Sequence, residues 1–302
     1  MSQCTAVARI SRFSLFLLVV GVAAISSAAV LIREAAAPAL VIAACRMLIA
    51  AMVLLPFAVK RIPESVKRLT AADIGLIVIA GISLALHFWL WITSLSYTSI
   101  ASSVVLVTSH PAMVAVLSFV LWREHLNRIA IIGILVAFTG LLVINFGGFS
   151  PGSSVFKGNL MALGAAGAMA VYLLVGRHIR ERVDVLSYLS IVYTVAAILL
   201  LAAVVIAGES FLGYSAKTYW MLALLGLVPQ LIGHTSLNLA VRRLPVTLVS
   251  VAILGEPVGA TLLGWGVLGE VPGTKEIAGG LIIICGILMV VGSGGRESLE
   301  QV

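Results

Sequence analysis

The sequence predicts an all-α membrane protein of ten transmembrane helices, arranged as two inverted five-helix repeats. Three observations lead to this fold class: an apolar composition, ten apolar stretches joined by short links, and a repeated pattern of proline, glutamate and glycine. Of the 302 residues, 61% are hydrophobic and 10% are charged, and the mean hydropathy is +1.18. A soluble domain of this size cannot hide so much apolar surface from water, whereas lipid accepts it.

Apolar stretches long enough to cross a bilayer, which takes roughly 20 helical residues, recur along the whole chain. Their links are too short to hold a soluble domain. The first stretch, with arginines before it and a run of alanines after it, also resembles a signal peptide. We expect an ordinary first helix, because the stretch is long for a signal peptide and completes the repeat described below. The predicted spans are 13–31, 39–59, 74–95, 100–121, 129–146, 159–175, 185–207, 219–241, 246–268 and 277–292.

Lysine and arginine are unevenly distributed between alternate links. Fourteen of the nineteen lie in the set that includes both termini, whereas Arg33, Lys157, Lys217 and Lys275 lie in the opposite set and Arg46 lies inside a span. Because cationic loops stay in the cytoplasm, we predict cytoplasmic termini and a bacterial-type inner membrane. The net charge of +7 does not indicate nucleic-acid binding, because these cations form no basic face and no reading motif.

Two segments of the chain share a proline, a glutamate and two glycines at identical spacing, 146 residues apart. The pairs are Pro111 and Pro257, Glu124 and Glu270, Gly133 and Gly279, and Gly140 and Gly286. Five spans is an odd number, so a second half of five spans must lie upside down relative to the first. Inverted repeats with a site at their interface are a recurring transporter design. We therefore predict one repeat over residues 13–146 and a second over residues 157–292.

Short motifs surround the paired prolines and glutamates. The first half carries the run 94–103, then His110-Pro111 and 122–124, and the second half carries 254–257 followed by 268–270. These motifs resemble the EamA repeats of the drug/metabolite transporter superfamily, and Arg46 fits the same pattern. The resemblance implies a ten-helix bundle in which the first four helices of each half enclose a central cavity, while the fifth and tenth pack outside. Relatives export amino acids, aromatic ones included, and other branches carry nucleotide sugars, triose phosphates or choline.

Ionisable side chains at mid-bilayer depth are costly, so those that occur there are candidates for function. Five lie deep in predicted spans, namely Arg46, His87, His110, His234 and Glu256. We predict that Glu256 either binds a substrate ammonium group or exchanges a coupling proton. Arg46 either holds a substrate carboxylate or pairs structurally with Glu256. Its counterpart in the second half, 147 residues later, is Tyr193, which is also polar and able to line a cavity.

His110 and Glu256 are counterparts in the repeat, and each directly precedes a paired proline. A proline removes one backbone hydrogen bond and kinks a helix, so we predict kinks at Pro111 and Pro257. A kink beside a polar side chain can build a binding site from irregular backbone inside the membrane. The alternative is that each side chain only satisfies the freed backbone groups.

Two triplets of polar and aromatic residues also correspond, 147 residues apart. They are Ser83, His87 and Trp91, and Gln230, His234 and Asn238. Both have the i, i+4, i+8 spacing that places side chains on one face of an α-helix, and this face must meet protein or water because lipid would leave its polar groups unpaired. Trp91 can stack on a substrate ring or cation. The alternative for each histidine is an ordinary hydrogen-bonded contact between helices.

The remaining pairs have structural interpretations. For Glu124 and Glu270 we expect solvated helix ends, rather than latches that pair with cations such as Arg123 or Arg128. The paired glycines are seven residues apart, so each pair lies on one helix face and lets another helix approach closely.

The best-supported function is a secondary transporter that exports small polar metabolites, amino acids included, by alternating access. An uncoupled facilitator or an uptake carrier of the same fold is the alternative. An intramembrane enzyme or a sensor is a third class, but no HExxH, paired-acid or Ser/His/Asp motif occurs and no soluble output domain fits. We expect no cofactor and no metal, since Cys4, Cys45 and Cys285 are far apart. The expected partners are a small solute, protons as a candidate coupling ion and membrane lipid, with a monomer or weak dimer.

Overall fold

The structure, a computed structural model, describes residues 12–67, 69–122, 128–145, 153–179, 182–241 and 252–300. Every regular element in these ranges is helical, which confirms the predicted all-α class. Seven described stretches are long and apolar enough to cross a membrane, and a shorter apolar helix covers Arg128–Ile144. The seven are Phe13–Ala35, Ala39–Ala58, Ala71–Ser94, Ile100–Leu121, Ser154–Ile179, Val185–Ile206 and Ala216–Ala240. The ten-span count and the inversion stay predictions.

The helices are named in chain order, and a π-helix, Gly226–His234, joins α11 to α12. They are α1 (Arg12–Ser26), α2 (Ala28–Ala35), α3 (Ala39–Ala58), α4 (Ile62–Val66), α5 (Ala71–Ser94), α6 (Ile100–Val107), α7 (His110–Trp122), α8 (Arg128–Asn145), α9 (Ser154–Ile179), α10 (Val185–Ile206), α11 (Ala216–Leu225), α12 (Thr235–Val241), α13 (Gly255–Leu268) and α14 (Thr274–Glu300). Most begin or end within a few residues of the predicted spans. The span predicted over 246–268 lies partly outside the described residues. Glu124 lies entirely outside them.

Short polar residues start the helices at the edges of the apolar region. Thr70 begins α5 with a capping box, in which its hydroxyl accepts from the Asp73 amide and the Asp73 carboxylate accepts from the Thr70 amide. Asp184 begins α10 by accepting from two backbone amides of the first turn. Burial raises the pKa of Asp184, but hydrogen bonds from Ser187 and Ser65 outweigh that effect and hold the pKa below its ordinary value.

Helices α3, α5, α9 and α10 form the centre of the bundle. α5 packs on both α9 and α10, and α10 packs on α3. Their buried faces are rich in alanine: Ala43, Ala50 and Ala165 are fully buried, and such small side chains let the helix backbones approach closely. Gly81 of α5 packs against Val195 of α10 for the same reason. Because α3 and α5 precede the middle of the chain and α9 and α10 follow it, the centre draws on both halves.

Helices α8 and α14 form an antiparallel pair that packs tightly along its whole length. Gly133 lies opposite Gly286, and Gly140 lies opposite Gly279. A Cβ atom on Gly286 would lie 2.5 Å from the carbonyl oxygen of Gly133, which is closer than side chains tolerate. We call this contact the glycine seam. The close approach that the seven-residue spacing predicts therefore occurs, and it joins the last helix of one half to the last helix of the other.

Helix α1 packs against the π-helix and α12 as part of the bundle. Gly21 of α1 contacts Leu237, and Gly233 of the π-helix contacts Ile25. A break at Ser27 separates α1 from α2, and the two helices together make the first apolar stretch.

The bundle has two ends that carry different polar contacts. We call the first the Glu270 end, where α2 and α13 finish and where α3, α6, α9, α11 and α14 begin. We call the opposite one the Asp73 end, where α5 and α10 begin and where α3 and α9 finish.

Candidate functional site

The helix that contains Pro111 is interrupted just before the proline. α6 ends at Val107 and α7 begins at His110, so Thr108 and Ser109 break the span. The Thr108 and Ser109 hydroxyls donate to carbonyl oxygens of the preceding turn at 2.7 and 2.6 Å. The Nδ1 atom of His110 lies 3.1 Å from the Val107 carbonyl oxygen. The predicted kink is therefore a complete break, and His110 satisfies one of the carbonyls that it frees.

The matching proline of the second half has the same setting. α13 begins at Gly255 after a turn at Leu254, which places Glu256 and Pro257 in its first turn. Glu256 is half-buried. Its carboxylate makes no ion pair with any cation of the described residues. An acid in the first turn of a helix is stabilised by the partial positive charge of the helix N-terminus, so the break supports Glu256 electrostatically.

Arg46, on α3, lies at the centre of the bundle with only 1% of its surface exposed. Its Nε donates to the Gln230 side-chain oxygen at 2.8 Å. Its guanidinium stacks on Phe88, 4.2 Å from the ring centre, and lies 5.7 Å from the Trp91 ring centre. Both are cation–π distances. Nη1 is buried and has no hydrogen-bond partner.

Trp91 and His87, on α5, lie close to Arg46. The two rings stack with their centres 6.2 Å apart, and both residues are buried. His87 Nδ1 lies 2.9 Å from the Ala165 carbonyl oxygen of α9, which is the interhelical contact considered as its alternative role. The indole Nε1 of Trp91 is buried without a partner. Ser83 of the same triplet is also buried, so this triplet faces the protein interior as predicted.

The second half of the chain contributes Tyr193, Gln230 and His234 to the same region. Tyr193, on α10, is 1% exposed, and its hydroxyl is placed to hydrogen-bond Gln230. The His234 ring lies edge-on to Phe88, with the ring centres 6.1 Å apart. Gln230 therefore connects the two counterparts Arg46 and Tyr193 through its single side chain.

The prediction of regular α-helical spacing for the second triplet is wrong. Gly226–His234 is a π-helix with Pro229 inside it. Proline offers no amide hydrogen to the preceding turn, so the backbone bonds shift to the wider π pattern, which often marks functional sites. As a result Gln230 is fully buried, whereas His234 and Asn238 are half-buried, and Asn238 donates its amide to the His234 carbonyl oxygen at 2.8 Å.

The predicted ionisable residues thus converge on one region. Arg46 interacts electrostatically with Glu256, His87 and His234, and His110 interacts with both other histidines. Arg46 and Glu256 form no ion pair, so the structural pairing considered for them is absent from the structure. We call Arg46, Trp91, His87, Gln230, Tyr193 and the nearby Glu256 the central polar cluster.

The Glu270 end is closed by contacts of Glu270 itself. Its carboxylate accepts from the Ile100 amide at 2.6 Å and lies 3.6 Å from the Arg33 guanidinium. Arg33 also donates to the Thr98 carbonyl oxygen at 2.8 Å. The expectation of a solvated helix end is therefore wrong, because the N-terminus of α6 offers unpaired amides that a carboxylate satisfies.

Glu276 closes the same end from the start of α14. It accepts from the Ser99 hydroxyl, from Ser102 at 3.1 Å and from the Gly273 amide at 2.8 Å. An ion pair between Lys217 and Glu34 joins α11 to α2 nearby. Each contact except the Gly273 one links the two halves of the chain. Glu276 was not among the predicted site residues, although it is an acidic residue in a link between two predicted spans.

The Asp73 end is held by fewer described contacts. Arg182 pairs with Asp73 at 3.0 Å, and Ser65 donates to Asp184 at 3.2 Å. Both join the first half to the loop before α10. Two cavities of about 450 and 370 Å³ lie nearer the Glu270 end, one beside Lys157 and the other beside Arg33. Neither is lined by residues of the central polar cluster.

Buried charge and unpaired polar groups from several helices, deep in an apolar bundle, are typical of membrane carriers. A model of the EamA-like transporter family matches residues 12–146 and 156–292. The chain belongs to the EamA-like transporter family. That family is part of the drug/metabolite transporter superfamily, so the resemblance carried by the proline and glutamate motifs is confirmed.

Relatives of this EamA-like transporter bear similar names. The chain is 24% identical over 182 residues to the uncharacterized transporter YdfC of Bacillus subtilis, which covers 60% of this chain and 59% of that protein. It is 24% identical over 244 residues to an uncharacterized transporter of Clostridium kluyveri, covering 76% of each chain. One solved crystal structure superposes with a TM-score of 0.66 at 18% identity, covering 93% of this chain and 98% of the other. At that identity the likeness supports the fold alone.

A transporter moves solutes without changing them. Membership of this family therefore accounts for the buried polar groups of the central polar cluster without an enzymatic reaction. No group of three or more His, Cys, Asp or Glu side chains that could hold a metal ion occurs in the described residues. The central polar cluster instead offers donors on Arg46 and Trp91 and an acceptor on Glu256. Such a cluster can bind a small polar solute or move a proton.

Proposed function

We propose that this EamA-like transporter is a secondary carrier that exports small polar metabolites, in particular amino acids with aromatic ones included, by alternating access. One observation carries the proposal: buried Arg46 lies between groups from both halves of the chain, and each end of the bundle carries its own polar contacts. A carrier needs a site at mid-depth and a closure on each side of it. The positions of Glu270, Glu276 and Asp73 supply such closures.

We propose that the chain forms ten spans as two inverted repeats, over residues 13–146 and 157–292. The two stretches that match the family model support these bounds. The glycine seam supports them too, because α8 and α14 are the last helices of their halves and meet through equivalent glycines. We place the Glu270 end outside the cell and both termini in the cytoplasm of a bacterial-type inner membrane, on the strength of the uneven distribution of lysine and arginine.

Glu256 is the proposed coupling group. It is half-buried, lies near Arg46 without pairing to it, and stands at the break before Pro257. A carboxylate in this position can take up a proton when the site faces outside and release it when the site faces the cytoplasm. Inward proton flow would then drive export.

Purified protein in proteoliposomes tests this role by measuring amino-acid flux with and without a pH gradient. We expect flux that rises with the gradient, and we expect Glu256→Gln to lose that dependence while the protein still inserts. Glu64→Gln is the matched control, because Glu64 is an exposed acid on α4. A Glu256→Gln variant with unchanged pH dependence would contradict the coupling role, and gradient-independent flux in the unmodified protein would indicate the uncoupled facilitator or uptake carrier.

A further inference from the structure

Two buried N–H groups in the central polar cluster have no acceptor. They are Nη1 of Arg46 and Nε1 of Trp91, on side chains that are 1% and 4% exposed. Leaving a buried donor unpaired is unfavourable, and more so when it carries charge. The two groups belong to adjacent helices, and the Arg46 guanidinium lies 5.7 Å from the Trp91 ring centre. A bound solute that carries acceptors would supply the partners that both groups lack.

The positive charge of Arg46 determines which kind of acceptor fits the central polar cluster. Arg46 is the one lysine or arginine that is buried among the described residues, and it makes no ion pair with them. A single cation is matched by a group with one negative charge, and a doubly charged phosphate would remain uncompensated. A carboxylate also has two oxygens, one for each donor, and guanidinium groups bind carboxylates with favourable geometry.

The side chains of Arg46 and Trp91 are held in place in the absence of a bound solute. Arg46 is held by the 2.8 Å bond from Nε to Gln230 and by stacking on Phe88. Trp91 is held against His87. Groups that are already fixed lose little conformational freedom on binding, which favours affinity. Neither fixing contact uses Nη1 or the indole N–H, so both donors stay available.

We propose that Arg46 Nη1 and Trp91 Nε1 bind the carboxylate of the transported solute, while Glu256 faces its ammonium group. The proposal rests on the proposed function and narrows its substrate class to solutes with a carboxylate, α-amino acids first among them. Arg46 and Glu256 interact electrostatically without forming an ion pair, so opposite charges are available to the two charged groups of a zwitterion.

A matched panel of small molecules tests the carboxylate requirement on the purified full-length protein in nanodiscs. The twenty amino acids, lactate and succinate are screened by thermal stabilisation, and each acid that binds is compared with its amide and its decarboxylated amine. We expect the acids to bind at least about tenfold more tightly than their amides, since each lost charge-assisted bond weakens binding by about that factor. In ¹⁵N spectra of the tryptophan indoles, the Trp91 signal should move on addition of the acid and not of the amide.

Trp91→Phe removes the N–H donor and keeps an aromatic ring. We expect it to weaken binding of the acid by about tenfold, to leave binding of the amine within about twofold, and to leave the melting temperature of the unliganded protein unchanged or raised, because it deletes an unpaired buried donor. Trp89→Phe is the control, since Trp89 lies two residues away on the same helix and is 39% exposed. Arg46→Lys, which keeps the charge and loses the planar fork, should weaken the acid by at least tenfold.

Three outcomes would overturn the proposal. They are equal affinity for acids and their amides, unchanged acid affinity in Trp91→Phe, and the absence of binding or of a Trp91 signal shift with every carboxylate tested. Transport assays separate this failure from that of the proposed function. An acid that binds at Trp91 but is never transported would contradict the carrier role alone, whereas transport with equal competition by amides would contradict the carboxylate site alone.

Discussion

Gln230 determines how Arg46 presents its charge. Its side-chain oxygen accepts from Nε, which links α3 to the π-helix, and Tyr193 of α10 lies close to the same side chain. A glutamine serves here because it supplies an acceptor without a charge. The guanidinium therefore keeps its positive charge uncompensated, as binding of an anionic group requires.

Two substitutions of Gln230 distinguish its hydrogen bond to Arg46 from the effect of a negative charge beside the guanidinium. Gln230→Glu keeps the acceptor but adds a negative charge, so we expect normal stability and carboxylate binding weakened by about tenfold or more. Gln230→Leu leaves Nε unpaired in a buried site and should lower the free energy of unfolding by about 1–3 kcal/mol. Denaturation and binding are measured on the same preparations. A Gln230→Glu variant that binds acids like the unmodified protein would show that Arg46 does not hold them.

At this scale the sequence predicts charged groups better than their apolar neighbours. Arg46, His87, His234 and Glu256 were identifiable because an ionisable residue inside an apolar span is rare and costly. Phe88, on which Arg46 stacks, was not, because an aromatic residue in an apolar helix has no distinguishing feature before the helices are packed.

The close packing of α8 on α14 depends on glycines, which have no side chain. In the glycine seam, a Cβ atom on Gly286 would lie 2.5 Å from both the Ala137 amide nitrogen and the Gly133 carbonyl oxygen. Both are backbone atoms, which cannot rotate away as a flexible side chain can. The contact therefore tolerates no added methyl group unless the helices move apart.

We expect Gly286→Ala to destabilise the protein by about 1–3 kcal/mol through overpacking of α8 against α14. Gly266→Ala is the control: Gly266 lies in α13 with no atom within 4 Å of its added Cβ, and alanine favours a helix by up to about 1 kcal/mol over glycine. Thermal unfolding in detergent measures both. Equal melting temperatures for the two variants would contradict the packing described for the seam.

Hydropathy predicts where the helices lie. It does not predict their irregularities, such as the start of α9 or the π-helix. Apolar runs located the helices because a spanning segment must satisfy its backbone internally. α9 begins at Ser154, five residues before the predicted span, because the Ser153 hydroxyl accepts from the Phe156 amide and caps the helix. Lys157 lies within this first turn, with its cation 4.5 Å from the centre of the Tyr97 ring. Pro229 predicts a distortion, but its outcome as a π-helix depends on the neighbours of Gly226 and Gly233.

The whole molecule is proposed to sit with its Glu270 end outside the cell. Single-cysteine variants test this orientation in a background whose native cysteines are replaced by serine. Leu212, an exposed residue between α10 and α11, reports on the Glu270 end, and His178, exposed near the end of α9, reports on the Asp73 end. A membrane-impermeant maleimide should label Leu212→Cys in intact cells and His178→Cys only after permeabilisation. The reverse pattern would invert the proposed topology.

The proposed inverted arrangement rests on proline, glutamate and glycine residues that both halves of the sequence retain. Four pairs at one spacing indicated two halves, but no pair indicated how the halves close against each other. Glu270 and its counterpart Glu124 occupy equivalent positions in the repeat. Yet the contact of Glu270 with Ile100 exists because a helix N-terminus from the other half lies there, which is a property of the assembled bundle.

The glycine seam also has a mechanical consequence. It joins the two halves at backbone-to-backbone distance, with Met289, Val290 and Ile283 packed against its glycines, and it stands apart from the polar contacts at either end. When two bodies tilt relative to each other, the contacts on their pivot change least. In the proposed alternating-access cycle the halves would therefore pivot where α8 meets α14, while the contacts of Arg33, Glu270 and Glu276 open at one end.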